Sequence, residues 1–235
     1  ANSVIGQAKI NNRPVIIYGD DFTVRGGAAD AAIHEKMVAG ERFANEYRMP
    51  IIRLIEGTGG GGSVKSLEKD GYTYVPANPA WDWVVKNMST VPVVSLGLGP
   101  VAGLGAARLV SSHYSVIVKK MSQVFVAGPP VVNRLGETVT KESLGGSEIH
   151  SKNGAIDDVA QNEAEALLMA KKFLSYLPSS TYELPEKKNN KDPIDRSDKW
   201  LIGAVPKDRR ESYEIRPIIK SVTDKNSFFE IGKNW

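Results

Sequence analysis

At 235 residues, with 41% hydrophobic and 24% charged residues, the chain has an ordinary globular composition and room for one large core or two small ones. Its net charge of +3 and pI near 8.9 fall well short of a nucleic-acid-binding footprint, and the lack of any cysteine excludes disulfides, thiolate metal sites and cysteine nucleophiles. No apolar run approaches the ~18 residues of a membrane span, and the opening "ANSVIGQ" has neither a signal-peptide pattern nor a methionine, as expected of a processed protein or a fragment.

"SVIGQAKINNRPVIIYGDDFT" places apolar segments around an "NN" pair and predicts a β-hairpin. In "AAIHEKMVAGERFANEYRM", residues Ile33, Met37, Gly40, Ala44 and Tyr47 recur at helical spacing and predict an amphipathic helix. "PIIRLIE" is a short, nearly all-apolar strand, and the run "GTGGGGS" follows it directly. "PAWDWVVKNMS" predicts a helix, "VPVVSLGLG" a second buried strand, and "PVAGLGAARLVSS" a helix of small residues. "YSVIVKK" and "SQVFVAG" are further strands, and "PPVVNRLG" starts a helix with proline in its first turn. "DVAQNEAEALLMAKKFLSYL" predicts a helix with Ala160, Ala164, Leu167, Leu168 and Leu174 on one face and Asp157 and Asp158 as its capping acids. From Pro178 to about Trp200 the sequence turns polar and reads as a surface connection; "YEIRPIIKSVTDKNSFFEI" after it predicts a short docking helix. Apolar strands alternating with helices favour an α/β architecture with parallel strands covered on both faces.

Two glycine-rich stretches carry the functional question. The first, residues 57–62, lies after a buried strand, where glycine lets backbone N–H groups approach a ligand, although a flexible surface loop would also explain it. It is no P-loop, because Lys65 follows Ser63 and Val64 rather than a glycine. The second, "GLGPVAGLGAA", has Gly97, Gly99 and Gly103 spaced G-x-G-x-x-x-G, which misses the dinucleotide fingerprint. It is either close helix-on-strand packing or a helix N-terminus facing an anion. Together the stretches can offer two converging sets of N–H donors to a developing negative charge. Acid–base candidates are scarce: His34, His113 and His150 are scattered, read as structural, and have no metal-site spacing. Trp81 and Trp83 read as packing residues or as the lining of an acyl pocket.

The segments "INNRPVIIYGDDFTVRGG", "PIIRLIEGTGGGG", "VPVVSLGLGPVAGLGAA", "FVAGPPVV", "LGGSEIH" and "FLSYLPSS" occur in the order found in the carboxyltransferase (β-type) subunits of biotin-dependent acyl-CoA carboxylases. The chain resembles the N-terminal domain of that family, with the propionyl-CoA and methylcrotonyl-CoA carboxylase β chains the nearest in pattern. The resemblance implies a crotonase-like ββα superhelix over residues 1–177. Residues 178–235 would then be a connecting segment and docking helix leading to a second crotonase-like domain absent from this chain. It also implies transfer of a carboxyl group from carboxybiotin to the α-carbon of an acyl-CoA, with biotin, carried on a partner domain, as cofactor and as the base. By carry-over, N–H groups around Gly59 and Gly60, with Gly103 or Leu104, hold the thioester enolate oxygen. Gly26, Gly27, Ala28, Gly61, Gly99, Ala102, Gly128 and Pro129 would bind the rest of the substrate, and no metal is implied. The partners implied are a biotin carboxylase or carrier subunit and further copies, as a trimer of dimers, in the mitochondrial matrix or bacterial cytoplasm.

The chain departs from the pattern in three places. Its first loop lacks the Ser and Arg of "DSGGAR", and "KNGAIDD" stands where relatives read "SGVAH". It also stops at "FFEIGKNW", before the second domain that supplies the biotin side of the site, so a half-enzyme is expected, either a fragment or a split subunit. Two other functions compete: a biotin-independent acyl-CoA hydratase, isomerase or decarboxylase of the same fold, and a non-catalytic half that only assembles with a partner. Hydratase chemistry is disfavoured because no Glu follows the second glycine stretch at a position suited to a base.

Overall fold

The computed structural model describes residues 3–27, 34–57, 80–187 and 192–235, with the isolated positions 68 and 71. They fall into two compact units, Ala1–Pro185 with Ile231–Trp235, and Glu186–Glu230.

The first unit is built on one sheet. Strands β1 (Ser3–Ile10) and β2 (Arg13–Asp20) form the antiparallel hairpin, joined through Asn11 and Asn12 at φ 50° and 64°, the left-handed conformations that a two-residue hairpin turn requires. Helix α1 (His34–Glu46) leads to β3 (Ile51–Gly57), and α2 (Trp81–Asn87) leads to β4 (Val93–Ala102). Helix α3 (Leu104–Val110) then connects to β5 (Tyr114–Val118) and β6 (Gln123–Phe125). Three short helices follow: α4 (Pro129–Val132), α5 (Lys141–Gly145) and α6 (Ser147–His150). Strand β7 (Asp158–Ala160) and helix α7 (Glu163–Leu174) complete the unit. The strand order is β1-β2-β3-β4-β5-β7, with β6 paired to the far end of β4, and every pairing after the hairpin is parallel.

Strand β5 is buried along its whole length and β3 and β4 along most of theirs, as expected when helices cover both faces. One face presents Ile51, Arg53 and Ile55: Ile51 packs with Ala44 of α1, and Ile55 with Ala106 and Leu109 of α3. On the other face Phe173 of α7 stacks on Tyr114, ring centroids 4.7 Å apart. Arg13 in the hairpin donates to the carbonyls of Leu174 (2.7 Å) and Leu177 (2.6 Å), capping the end of α7.

Several expectations change. Strand β4 does not stop at "GLG" but runs on through Ala102, because Pro100–Ala102 pair with β6; the helix predicted from Pro100 therefore begins only at Leu104. Asp157 and Asp158 do not cap a helix. Asp157 accepts from the Ser115 N–H and hydroxyl, and Asp158 lies in β7, where it accepts from the Tyr114 hydroxyl at 2.7 Å. The cap of α7 is Asn162, whose side chain accepts from Glu165 N–H. The helix starts five residues later than expected, and its inner face is Ala166, Ala170, Phe173 and Leu174, with Ala164, Leu167 and Leu168 exposed. Tyr47 lies beyond the end of α1 and is 63% exposed, while Met37, Gly40 and Ala44 face inward; Ile33 lies outside the described residues.

The second unit holds one α-helix among its described residues, α8 (Ile215–Val222), where a short helix was expected. Arg196 anchors it, donating to the carbonyls of Ser221 and Thr223 while pairing with Asp192 at 2.9 Å; Arg216 pairs with Glu230 at 2.6 Å.

Candidate active site at the carboxyl edge of the sheet

The carboxyl ends of β3, β4 and β6 meet in a zone where backbone touches backbone. The turn Arg25–Gly27 lies against the end of β3 so closely that a Cβ on Gly27 would sit 2.4 Å from the Glu56 carbonyl oxygen, and one on Gly57 would sit 2.3 Å from that of Gly26. Gly26, Gly27 and Gly57 also have φ of 62°, 69° and 104°, which side-chain-bearing residues rarely adopt. This contact fixes where the glycine run leaves the sheet. Ala28, Gly59, Gly60 and Gly61 lie outside the described residues.

Strand β4 is irregular opposite that point. Ile55 pairs with Gly97, but Gly57 pairs with Val101, so Leu98, Gly99 and Pro100 bulge opposite Glu56. A Cβ at Gly99 would lie 2.3 Å from a Glu56 carboxyl oxygen, so any larger residue would have to displace that side chain. At the end of β4, Gly103 has φ 57° and ψ −122° and turns the chain into α3. Its N–H donates to the carbonyls of Phe125 (3.0 Å) and Val126 (3.1 Å). The Gly103 N–H is thus engaged by backbone. Leu104, half-buried, opens the first turn of α3, whose N–H groups have no intrahelical acceptor. The bonds from Gly103 also bring Ala102 beside the segment leading to Gly128 and Pro129, both half-buried at the start of α4. Gly26, Gly27, Gly99, Ala102, Gly103, Leu104, Gly128 and Pro129 therefore all lie at the carboxyl ends of these strands, where open α/β sheets bind ligands.

Beneath this edge lies a buried charged layer that the sequence reading missed. Arg53 donates through Nε to Glu41 Oε1 (2.7 Å) and through Nη2 to Glu41 Oε2 (2.9 Å), while Nη1 reaches the carbonyls of Arg108 (3.1 Å) and Ser111 (2.7 Å) at the end of α3. Asn87 of α2 donates to the Glu41 side chain and carbonyl, both at 2.9 Å. Arg108 lies with Nη1 3.8 Å from Asp20 Oδ1, Nη2 4.0 Å from Glu41 Oε1, and its guanidinium 4.3 Å from the centre of the Tyr18 ring. Burial alone would raise the Glu41 carboxyl, but Arg53, Arg108 and Asn87 outweigh it and hold the group below the usual range. Asp20 is shifted the other way: its burial outweighs Arg108 and the Glu56 N–H. Burial also raises Glu56, helped by the nearby charges of Glu163, Asp20 and Asp21. Tyr18 is pushed up to about 12, chiefly by burial.

The remaining candidates fall away from the edge. His113 accepts from Val93 N–H at 3.0 Å and bonds the Met88 carbonyl at 2.9 Å, and His150 bonds the Val124 carbonyl at 2.8 Å, so both serve the scaffold. The His34 side chain lies outside the described residues. Trp83 lies under the Lys86 ammonium at 4.4 Å. No cluster able to hold a metal occurs among the described residues, and none of their helices is long and apolar enough to cross a membrane.

This arrangement has close relatives. The carboxyl transferase domain family matches residues 3–235. The mitochondrial propionyl-CoA carboxylase β chain of Homo sapiens is 32% identical over 99% of this chain and 42% of its own length. The propionyl-CoA carboxylase carboxyltransferase subunit of Haloferax mediterranei is 29% identical over 99% of this chain and 44% of its own. Among solved structures, the transcarboxylase 12S hexamer with hydrolysed methylmalonyl-coenzyme A bound superposes with a TM-score of 0.86 at 29% identity, over 99% of this chain and 44% of that one. The chain thus spans less than half the length of these relatives. The fold is the crotonase-like α/β architecture expected from the sequence motifs. With a match covering nearly every residue and the glycine edge in place, the chain belongs to the carboxyl transferase domain family.

Proposed function

We propose that this chain is the acyl-CoA half of a biotin-dependent carboxyltransferase, which moves a carboxyl group from carboxybiotin to the α-carbon of an acyl-CoA. One observation carries the reading: β3 ends at Gly57, the first glycine of the run, paired with Val101 of β4, two residues before Gly103 turns the chain into α3. Paired N–H donors from two such stretches suit the oxygen of a thioester enolate, whose charge develops as the α-proton leaves. In this reading Leu104 supplies one donor and Gly59 or Gly60 the other. Gly26, Gly27, Ala28, Gly61, Gly99, Ala102, Gly128 and Pro129 shape the walls around the substrate. The carboxyl group arrives on biotin held by a partner carrier, opposite a second crotonase-like domain, in a homo-oligomer in a mitochondrial matrix or bacterial cytoplasm.

Calorimetric titration of acyl-CoA esters into the native assembly tests this; no heat with any ester would overturn it. In the same assembly Gly60→Val introduces a side chain at the donor position. We expect turnover to fall by the cost of one lost oxyanion donor, roughly 2.7–4 kcal/mol in the barrier, with the folded state retained by circular dichroism. Unchanged turnover would move the donor elsewhere.

A second reading has its own support. The Glu56 carboxyl lies against Gly99 at this edge, and burial with the nearby charges of Glu163, Asp20 and Asp21 raises it above the usual carboxylate range, which makes it the candidate to protonate an enolate formed by decarboxylation without biotin. Loss of carbon dioxide from a malonyl-type thioester by the chain alone, abolished by Glu56→Gln, would select that reading.

A further inference from the structure

Strand β4 changes partners along one edge. It pairs with β5 from Val94 to Gly97 and with β6 from Pro100 to Ala102. Ser122 stands at the change, one residue before β6, and is fully buried. Its hydroxyl donates to the Gly97 carbonyl at 2.5 Å and accepts from the Val118 N–H at 3.1 Å. Its own N–H returns to the Val118 carbonyl at 2.9 Å and closes the turn between β5 and β6. Gly97 is the last residue of β4 paired with β5, and Val118 is the last residue of β5. The hydroxyl therefore bridges the two strands where they part, and the next residue begins β6. That strand is only three residues long. His150 holds its middle, at the Val124 carbonyl. Gly103 holds its end, donating to the carbonyls of Phe125 and of Val126 just beyond. The start of β6 is thus tied to β4 by Ser122, and its end to the turn that leads into α3.

We propose that Ser122 is a positioning residue for carboxyl transfer: its hydroxyl fixes where β6 meets β4 and, through the Phe125 and Val126 carbonyls, the turn at Gly103 beside Leu104. This rests on the acyl-CoA reading above. Ser122 is sealed from solvent and acts through the backbone of its neighbours. Without the hydroxyl, the buried Gly97 carbonyl and Val118 N–H lose the group that bridges them. Strand β5 can then close on β4 by a further step and carry the start of β6 with it. With β6 displaced, the carbonyls that hold Gly103 shift, and Leu104 shifts with them. A donor moved in this way lowers turnover more than it weakens binding of a substrate whose contacts lie mostly elsewhere.

The test uses the native assembly with Ser122→Ala, Ser122→Thr and Ser122→Val, the last two differing only by a hydroxyl in place of a methyl. In the unliganded protein, amide exchange at Gly103 should speed by about tenfold in Ser122→Ala and Ser122→Val, and stay near wild type in Ser122→Thr. In turnover, kcat should fall by up to about 10²-fold in Ser122→Ala and Ser122→Val, with KM for the acyl-CoA little changed. Ser122→Thr should recover most of that loss. Tyr114→Phe, which loses the buried bond to Asp158 elsewhere on β5, serves as a destabilised control and should keep both its kcat and its protected Gly103 amide. Unchanged Gly103 exchange in Ser122→Ala, equal kcat in Ser122→Thr and Ser122→Val, an effect on KM alone, or the same losses in Tyr114→Phe would each overturn the proposal. If Ser122→Thr and Ser122→Val do not fold, Ser122→Ala against Tyr114→Phe decides. A wild-type assembly without acyl-CoA activity would overturn the reading beneath, and Gly103 exchange would still show whether Ser122 holds the turn.

Discussion

The carboxyl edge of the sheet and the charged layer under it are built on opposite principles. At the edge, side chains are removed: Gly27 meets Glu56, Gly57 meets Gly26, and Gly99 makes room for one carboxyl group. In the layer below, Arg53, Arg108 and Tyr18, among the largest fully buried side chains of the described residues, fill the face between α1 and α3. A surface that presents backbone N–H groups has few contacts of its own to hold it. The rigidity has to come from beneath, and within that layer the two ion pairs differ. Arg53 and Glu41 share two hydrogen bonds, whereas Arg108 and Asp20 stand 3.8 Å apart and share none. The first pair closes the core through hydrogen bonds; the second faces its partner by charge.

That contrast can be broken most severely at Arg53. Arg53→Met leaves Glu41 buried without its main partner, and we expect a loss of about 3–5 kcal/mol in denaturant-unfolding stability. A loss no greater than that of Arg108→Met would mean the two pairs are equivalent. Next comes Tyr18, which keeps its proton up to about 12 in the folded protein but releases it near 10 when unfolded. Between those values the folded state binds the extra proton, so stability is intact below pH 10 and falls as pH rises toward 12, by about 3 kcal/mol in all. Tyr18→Phe should flatten that alkaline limb, measured by urea unfolding across the range. The edge should respond least in stability: Gly57→Ala forces a Cβ against the Gly26 carbonyl and is expected to cost about 1–3 kcal/mol. Its larger effect should appear in acyl-CoA turnover, because the turn and the start of the glycine run move together.

The fold was legible wherever its signal was local. Alternation around Asn11 and Asn12 marked the hairpin, and continuous apolar runs marked β3, β4 and β5. The glycine stretches pointed to the edge, because each follows a buried strand, where glycine lets backbone approach closely. The second stretch misled in part: Gly97 and Gly99 lie in the strand expected there, where Ile117, Leu109 and Glu56 occupy the space their side chains would take, but Pro100–Ala102 extend that strand where a helix was expected. That reason is tertiary and leaves no trace in the neighbouring residues. Asp158 misled in the same way, since an acid before a helix looks like a cap until β5 and Tyr114 supply a partner 44 residues away. The charged layer was illegible for a further reason. Arg53 stands in an apolar run as if it were an exception, and its partners, Glu41, Arg108 and Ser111, lie 12, 55 and 58 residues distant.

The bonds from Arg13 to the end of α7 bear on how the protein acquires this structure. The hairpin that carries Arg13 is local and can form within microseconds. The carbonyls it caps lie 161 and 164 residues further along the chain. Those bonds need the end of α7 brought back to the hairpin, and non-local contacts of that kind are slow to assemble. Arg13 therefore acts as a late latch, and its removal should speed opening of the finished unit far more than it slows the folding that precedes it.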